Sequence, residues 1–269
     1  MNKGVKKSKK AQVTIFIIIA IVIVAGIILV LSVNSNARHF ILSIFSGKDD
    51  RVIQVNDNIT NCLKDSTDNA LFYNGLQGGY FTTPDKSVFY RTDNLSLSRY
   101  IPYYLDKNKI IPNKEQLEKE LNDAITNNIK DCLNLNNLQI DTNLTYNIDN
   151  LNVKTSLTKD VVNSLLYFPV YLDIGNKKIL LDNYDFQEKT NYLLLHNVSV
   201  QLTEIQLENE DSICLSCISD IAKKNNLNIS NQDAEGIVNN SRIIIYNLIK
   251  ENSDKKTEFF SFAHKFYKT

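Results

Sequence analysis

The sequence predicts an α+β domain carried on a single N-terminal transmembrane helix. Three observations predict it. An unbroken apolar run, Val13 to Val33, follows a lysine-rich start; two stretches of the next hundred residues place apolar side chains every three to four positions; and much of the remainder places them every second position. Helical and strand-like patterns in separate blocks are the mark of α+β rather than of a parallel, alternating α/β chain. With 43% apolar residues, eight glycines and four prolines in 269, there is material for a sizeable core and little for long linkers. Thirty basic and thirty acidic residues give a formal net charge of zero, which excludes a polyelectrolyte.

Residues 1–12 carry Lys3, Lys6, Lys7, Lys9 and Lys10 and no acid. The apolar run behind them is 21 residues long, and 16 of these are Ile, Leu, Val or Phe. At about 1.5 Å per residue a helix of that length spans roughly 31 Å, the thickness of a hydrocarbon core. Each such residue favours insertion by about 0.3 to 0.6 kcal/mol. Lysines on one flank and the neutral Asn34-Ser35-Asn36 on the other place residues 1–12 in the cytoplasm and the chain from residue 34 outside. The expected organisation is therefore a basic cytoplasmic tail (1–12), a transmembrane helix (13–33), a juxtamembrane segment (34–50) and an extracytoplasmic domain (51–269). Two other fates compete with an uncleaved anchor. Ser35-Asn36-Ala37 has the small-x-small pattern of a signal-peptide site. Lys9-Lys10-Ala11-Gln12 looks like an archaeal class III signal, cut between Ala11 and Gln12, whose mature helix can enter a pilus-like filament.

From Asp50 to Asn74 the residues Val52, Val55, Ile59, Cys62, Leu63, Ala70 and Leu71 share one face of an amphipathic helix, with Gly75 as an expected left-handed cap. Gly78-Gly79 then turns the chain toward an extended Tyr80 to Thr83. A second helix follows Pro112, with Asn113 as cap and Gln116 three residues on, and is expected to bury Leu117, Leu121, Ala124, Ile125, Ile129 and Cys132. Two alternating runs, Leu144 to Ile148 and Leu151 to Leu157, read as a hairpin joined at Asp149-Asn150. Further strands are expected at Phe168 to Ile174, ending at Gly175-Asn176, at Ile179 to Asp182, and at Leu193 to Leu202. A third helix is expected near Ser212 to Lys224, and a second hairpin from Arg242 to Lys250 and Thr257 to Tyr267.

The stretch Gln12-Val13-Thr14-Ile15-Phe16-Ile17-Ile18-Ile19, the Cys62-Leu63 pair on a helix running into Gly75-Leu76-Gln77-Gly78-Gly79-Tyr80, and Cys132-Leu133 closing the second helix together resemble a family. They look like the uncharacterised, N-terminally anchored proteins of small-genome archaea of the woesearchaeal type. The closing Phe260-Ser261-Phe262-Ala263-His264-Lys265-Phe266 is similar to that family's C-terminal strand. The resemblance spans most of the chain and implies an archaeal envelope protein with no known activity.

Four cysteines outside the membrane form an even set, and cell-surface compartments permit disulfides. Cys62 and Cys132 can join two packed helices, or remain buried thiols. Cys214 and Cys217 form a Cys-x-x-Cys at a helix start, where a thiol pKa can be lowered, but Glu208, Glu210 and Asp211 precede it and no βαβ pattern surrounds it. A local disulfide is the expectation; a thiol-disulfide oxidoreductase is the alternative. No metal or other cofactor is expected, because four zinc ligands do not converge and His39, His196 and His264 are scattered, the last two in expected strands. Arg99-Tyr100-Ile101-Pro102-Tyr103-Tyr104 is the candidate surface contact for a sugar or a partner protein, against plain strand-and-turn packing. Six Asn-x-Ser/Thr sequons are close to the number chance supplies in so Asn-rich a chain.

The expected function is that of a non-enzymatic, single-pass envelope protein whose exterior domain binds an envelope protein or glycan. A pilin-like subunit processed before Gln12 and a tethered oxidoreductase are the alternatives. The five lysines of the tail leave 25 basic against 30 acidic groups in residues 13–269, so zero net charge is a sum over two sides of a membrane. The tail suits an anionic inner leaflet, and the mildly acidic remainder has little attraction for nucleic acid.

Overall fold

A computed structural model describes residues 49–269 except 86–87, 92–96, 106–107, 134, 136–137, 139, 209–211, 236–240 and 268–269. The expected cytoplasmic tail, transmembrane helix and cleavage positions Ala11 and Gln12 lie outside the described residues. Among those described, no helix is long and apolar enough to cross a membrane. The chain divides into two units, residues 1–54 and 55–269. Of the first, only the approach to and opening of helix α1 (Asp50–Leu76) are described, where Asp49 accepts from the backbone N–H of Arg51 at 3.0 Å.

The second unit is α+β. Besides α1 it contains α2 (Lys114–Cys132), α3 (Tyr192–Glu208) and α4 (Leu215–Asn225), with strands in three sheets. The larger sheet has the order β4-β3-β11-β10-β9, from β3 (Pro102–Leu105), β4 (Asn108–Lys109), β9 (Asn228–Glu235), β10 (Ser241–Glu251) and β11 (Thr257–Tyr267). Its pairings are antiparallel except the parallel β3–β11. The β10–β11 pair is the expected closing hairpin, in unbroken register from Ser241↔Tyr267 to Glu251↔Thr257. A two-stranded ribbon pairs β1 (Val88–Arg91) with β2 (Leu97–Tyr100).

The smaller sheet is built on β7 (Val161–Ile174) and corrects the expected first hairpin. β5 (Asn143–Tyr146) and β6 (Asn152–Leu157) do not pair with each other. They lie end to end along one edge of β7, both antiparallel to it, while β8 (Lys177–Lys189) covers the other edge. Asp149-Asn150 sits in a single 3-10 turn between them. The cause lies on the facing strand. Pro169 has no N–H to give a ladder. The gap between Tyr146↔Val170 and Asn152↔Tyr167 falls at that residue, and so does the register shift with β8. Gly175, at φ 59°, turns β7 into β8, as expected.

Helix α2 has the capping box its sequence announces: Asn113 Oδ1 accepts from the Gln116 N–H at 2.8 Å, and Gln116 Oε1 from the Asn113 N–H at 3.2 Å. Leu117, Leu121, Ala124, Ile125 and Ile129 are buried. On the flank of that stripe, Asn122 Oδ1 and Glu118 Oε1 accept from the backbone N–H groups of Thr155 and Leu157 at 2.6 and 2.8 Å. One helical turn thus matches two strand residues, and the helix closes the free edge of β6.

Two element assignments change. Leu193 to Leu202, expected as a strand, belongs to α3. Its buried positions Leu195, Val198, Ser199, Leu202, Thr203 and Gln206 follow helical spacing, but half of them are polar and dilute the apolar signal. The Ser199 and Thr203 hydroxyls are satisfied by donating to the carbonyls four residues back, at 2.9 and 2.8 Å. Gly75 is not a left-handed cap. α1 runs through it to Leu76, and the positive φ values fall at Gly78 and Gly79, 63° and 92°. Gly75 is demanded instead by close packing, since a Cβ there would lie 2.3 Å from the Phe259 carbonyl oxygen. Through this contact α1 reaches β11 of the larger sheet, while its Thr67 hydroxyl lies 3.1 Å from that of Ser164 on β7 of the smaller.

Candidate functional site

Two tyrosines of the expected surface contact belong to the core. Tyr103 and Tyr104 are buried. The register shift between Ala263 and His264 inserts an extra residue into β3. Tyr103 therefore meets Phe262 at 4.8 Å between ring centres, and its neighbour Tyr104 meets Phe266 at 5.0 Å. The Tyr103 hydroxyl donates to the Gly78 carbonyl at 2.8 Å, and burial pushes its pKa far up. Tyr100 is half-buried and packs on Ile243, Ile245 and Ala263. The backbone of Arg99 pairs with Phe89 in the β1–β2 ribbon, and its side chain lies outside the described residues.

All four cysteines are in disulfides, Cys62 to Cys132 and Cys214 to Cys217. Cys62 is buried on α1, whereas Cys132, expected on a buried face, is exposed at the end of α2. The bond crosses between two helices whose cysteine Cα atoms stand 5.8 Å apart. Cys214 caps α4, its Sγ accepting from the Cys217 N–H at 3.3 Å, and the intervening Leu215 is exposed.

The buried histidines are structural neighbours of the aromatic core. His196, expected on a strand, lies on α3 against the rings of Tyr103 and Phe260, at 6.2 and 6.1 Å. His264 is on β11 as expected, with Nε2 2.9 Å from Thr203 Oγ1. Because that hydroxyl already donates to the Ser199 carbonyl, it accepts from His264, which places the proton on Nε2. Burial without a compensating charge holds the His264 pKa down at about 3, against 6.5 in the unfolded chain. A lowered native pKa means that the stability due to the neutral ring is complete above pH 6.5 and lost progressively as pH falls toward 3. At pH 5 the loss is expected to reach roughly 2 kcal/mol, at about 1.4 kcal/mol per pH unit. Denaturant midpoints between pH 7 and pH 5 should fall accordingly in the wild type and flatten in His264→Phe; parallel curves would refute the assignment.

A different set of aromatic residues meets solvent. Along β7 the even positions are buried and the odd ones face outward, with Leu165 53%, Tyr167 48% and Tyr171 37% exposed, joined by Leu180 of β8 at 46%. Neighbouring strands set a polar row on each side. Asn152 and Asn183 stand opposite Tyr167, and Lys154 and Asp185 opposite Leu165. These residues line an open groove of about 250 Å³. Farther along, Lys178 Nζ sits 4.8 Å from the centre of the Tyr171 ring. The sequence reading missed this face because Leu165-Leu166-Tyr167-Phe168-Pro169-Val170-Tyr171-Leu172 is apolar in both parities and reads as a strand covered on both sides.

Among the described residues no three His, Cys, Asp or Glu side chains are grouped so as to hold a metal ion. No family model, curated protein or solved structure matches the chain.

Proposed function

We propose that this is a single-pass envelope protein, anchored by residues 13–33 with its basic tail inside, whose exterior domain is a non-catalytic binding module. The observation that carries the binding role is the exposed face of β7 and β8, where Leu165, Tyr167, Tyr171 and Leu180 point to the same side of the sheet. Contiguous exposed apolar side chains on a sheet are a liability unless they serve contact. The compartment is supported by the 21-residue apolar run behind five lysines and by two disulfides, which persist in oxidising surroundings. The resemblance to anchored archaeal proteins agrees with it. The test is fractionation of cells followed by protease treatment of intact cells. The chain is expected to resist carbonate extraction from the membrane and to lose its C-terminal domain to external protease; recovery of an intact soluble cytosolic chain would overturn the reading.

A pilin-like subunit is the second reading, carried by Lys9-Lys10-Ala11-Gln12 before the apolar run. The mass of the mature N-terminus decides between them, since a chain beginning at Gln12 replaces the plain anchor. A tethered oxidoreductase is the third, favoured by the half-exposed Cys214–Cys217 bond at the start of α4. An absence of insulin reduction by the reduced protein removes it.

A further inference from the structure

We infer that the outer face of the smaller sheet binds a neutral glycan chain lying along β7, with Tyr167 as its stacking platform. The inference rests on the binding-module reading above and adds the class of ligand. A pyranose offers two kinds of surface: C–H faces that lie against an aromatic ring, and hydroxyls at its edge that both donate and accept hydrogen bonds. The face of β7 offers the complement of each. Tyr167 is a half-exposed ring whose register neighbours on both sides are amides, Asn152 and Asn183, at a strand spacing of about 4.8 Å. An amide donates and accepts at once, as a hydroxyl does, whereas a lysine only donates and a carboxylate only accepts. Asn183 is further fixed by donating to Asp182 Oδ1 at 2.6 Å, which leaves its carbonyl oxygen and second N–H for a ligand.

The charges select against other partners. In the next row Lys154 and Asp185 stand on opposite sides of Leu165 and cancel. A nucleic acid or other polyanion needs a run of cations to release its counterions. A protein partner needs an apolar centre from which charge is depleted, and here the exposed apolar side chains, Leu165, Tyr167 and Tyr171 of β7 with Leu180 of β8, are bordered by the charged Lys154, Asp185 and Lys178. Length is set by the second ring. Tyr171 lies four residues on, about 13 Å along the strand, so an occupant touching both rings is longer than one sugar.

The test is affinity electrophoresis of the full chain, solubilised in detergent, through native gels containing hydroxyethylcellulose, glycol chitin, mannan or polygalacturonate. At least one of the three neutral polymers is expected to retard it. Tyr167→Ala should weaken retention about tenfold, the loss of one stacked ring, while Tyr167→Phe keeps most of it. Tyr73→Ala, an exposed tyrosine of α1 away from this sheet, should leave it unchanged. No retardation by any neutral polymer, retardation by polygalacturonate alone, or retention indifferent to Tyr167→Ala would each overturn the inference. A chain that fractionates as anchored and exterior but binds none of the polymers defeats the glycan assignment alone; a cytosolic chain defeats the module reading whatever the gels show.

Discussion

Replacing Cys62 and Cys132 together by alanine is expected to lower the unfolding free energy by about 4 kcal/mol, more than any other change outside the aromatic core. The bond closes a loop of 70 residues, from the middle of α1 to the end of α2. In the chain-entropy model the stabilisation comes from what the unfolded chain can no longer do, and it grows with the logarithm of the loop. For a unit of this size the loss corresponds to a fall in Tm of roughly 8 to 16 °C. Replacing Cys214 and Cys217 is the internal comparison: their separation is three residues, and the expected loss is under half as large. Thermal melts of both double variants, followed by circular dichroism, check the order. Equal losses, or a wild type whose melt ignores reductant, would show that the Cys62–Cys132 bond does not staple the fold.

Phe262→Ala is expected to cost about 3 to 5 kcal/mol, because the ring is wholly buried and its removal leaves a cavity that neighbours cannot fill. Phe262 is the middle of a three-ring stack, with Tyr103 of β3 at 4.8 Å and Tyr246 of β10 at 5.1 Å and nearly parallel. Tyr246 in turn donates to Gln206 Oε1 at 2.9 Å, so the stack ties the larger sheet to α3. Loss of the middle ring loosens both ends. Urea unfolding should show the midpoint fall with the slope kept, and Tyr167→Ala, on the open face, should stay within about 0.5 kcal/mol of wild type. Comparable losses for the two would mean that the outer face is packed, which would remove the ground for a binding surface there.

The parts of the fold that were legible in the sequence are those whose signal is local. The α2 capping box needs only Asn113 and Gln116, three residues apart, and the closing hairpin needs only two alternating runs around a polar turn. Elements whose signal depends on distant neighbours are not visible in this way. Asn-Ile-Ser-Asn-Gln-Asp-Ala-Glu has almost no apolar pattern to mark β9; it is a strand because β10 supplies its ladder. α3 was hidden because part of its buried stripe is Ser199, Thr203 and Gln206, which no apolar period can reveal. Both disulfide pairings were legible as expectations, Cys214 with Cys217 from their Cys-x-x-Cys spacing and Cys62 with Cys132 from two cysteines on apolar helix faces, while the choice between a bond and two buried thiols at Cys62 and Cys132 was decided by how α1 and α2 pack.

The tyrosines make the same division at the candidate site. Tyr100, Tyr103 and Tyr104 form a cluster in the sequence, and composition alone does not distinguish a ring in a stack from a ring in solvent. The larger sheet covered Tyr103 and Tyr104 because β3 pairs in parallel with β11, 160 residues away, and a bulge turned both rings inward. Tyr167 and Tyr171 stayed half-exposed on the odd face of β7, Tyr171 with the Lys178 ammonium over its ring. Local patterns along the chain were enough for the α+β class, for the apolar 21-residue run with its lysine flank, and for the ends of the elements that carry their own caps and turns. Long-range packing settled whether Cys62 and Cys132 bond, where the strand opposite Pro169 breaks, and which tyrosines meet water. Periodicity and capping act within a few residues along the chain, whereas burial is set by whatever the rest of the chain lays on top.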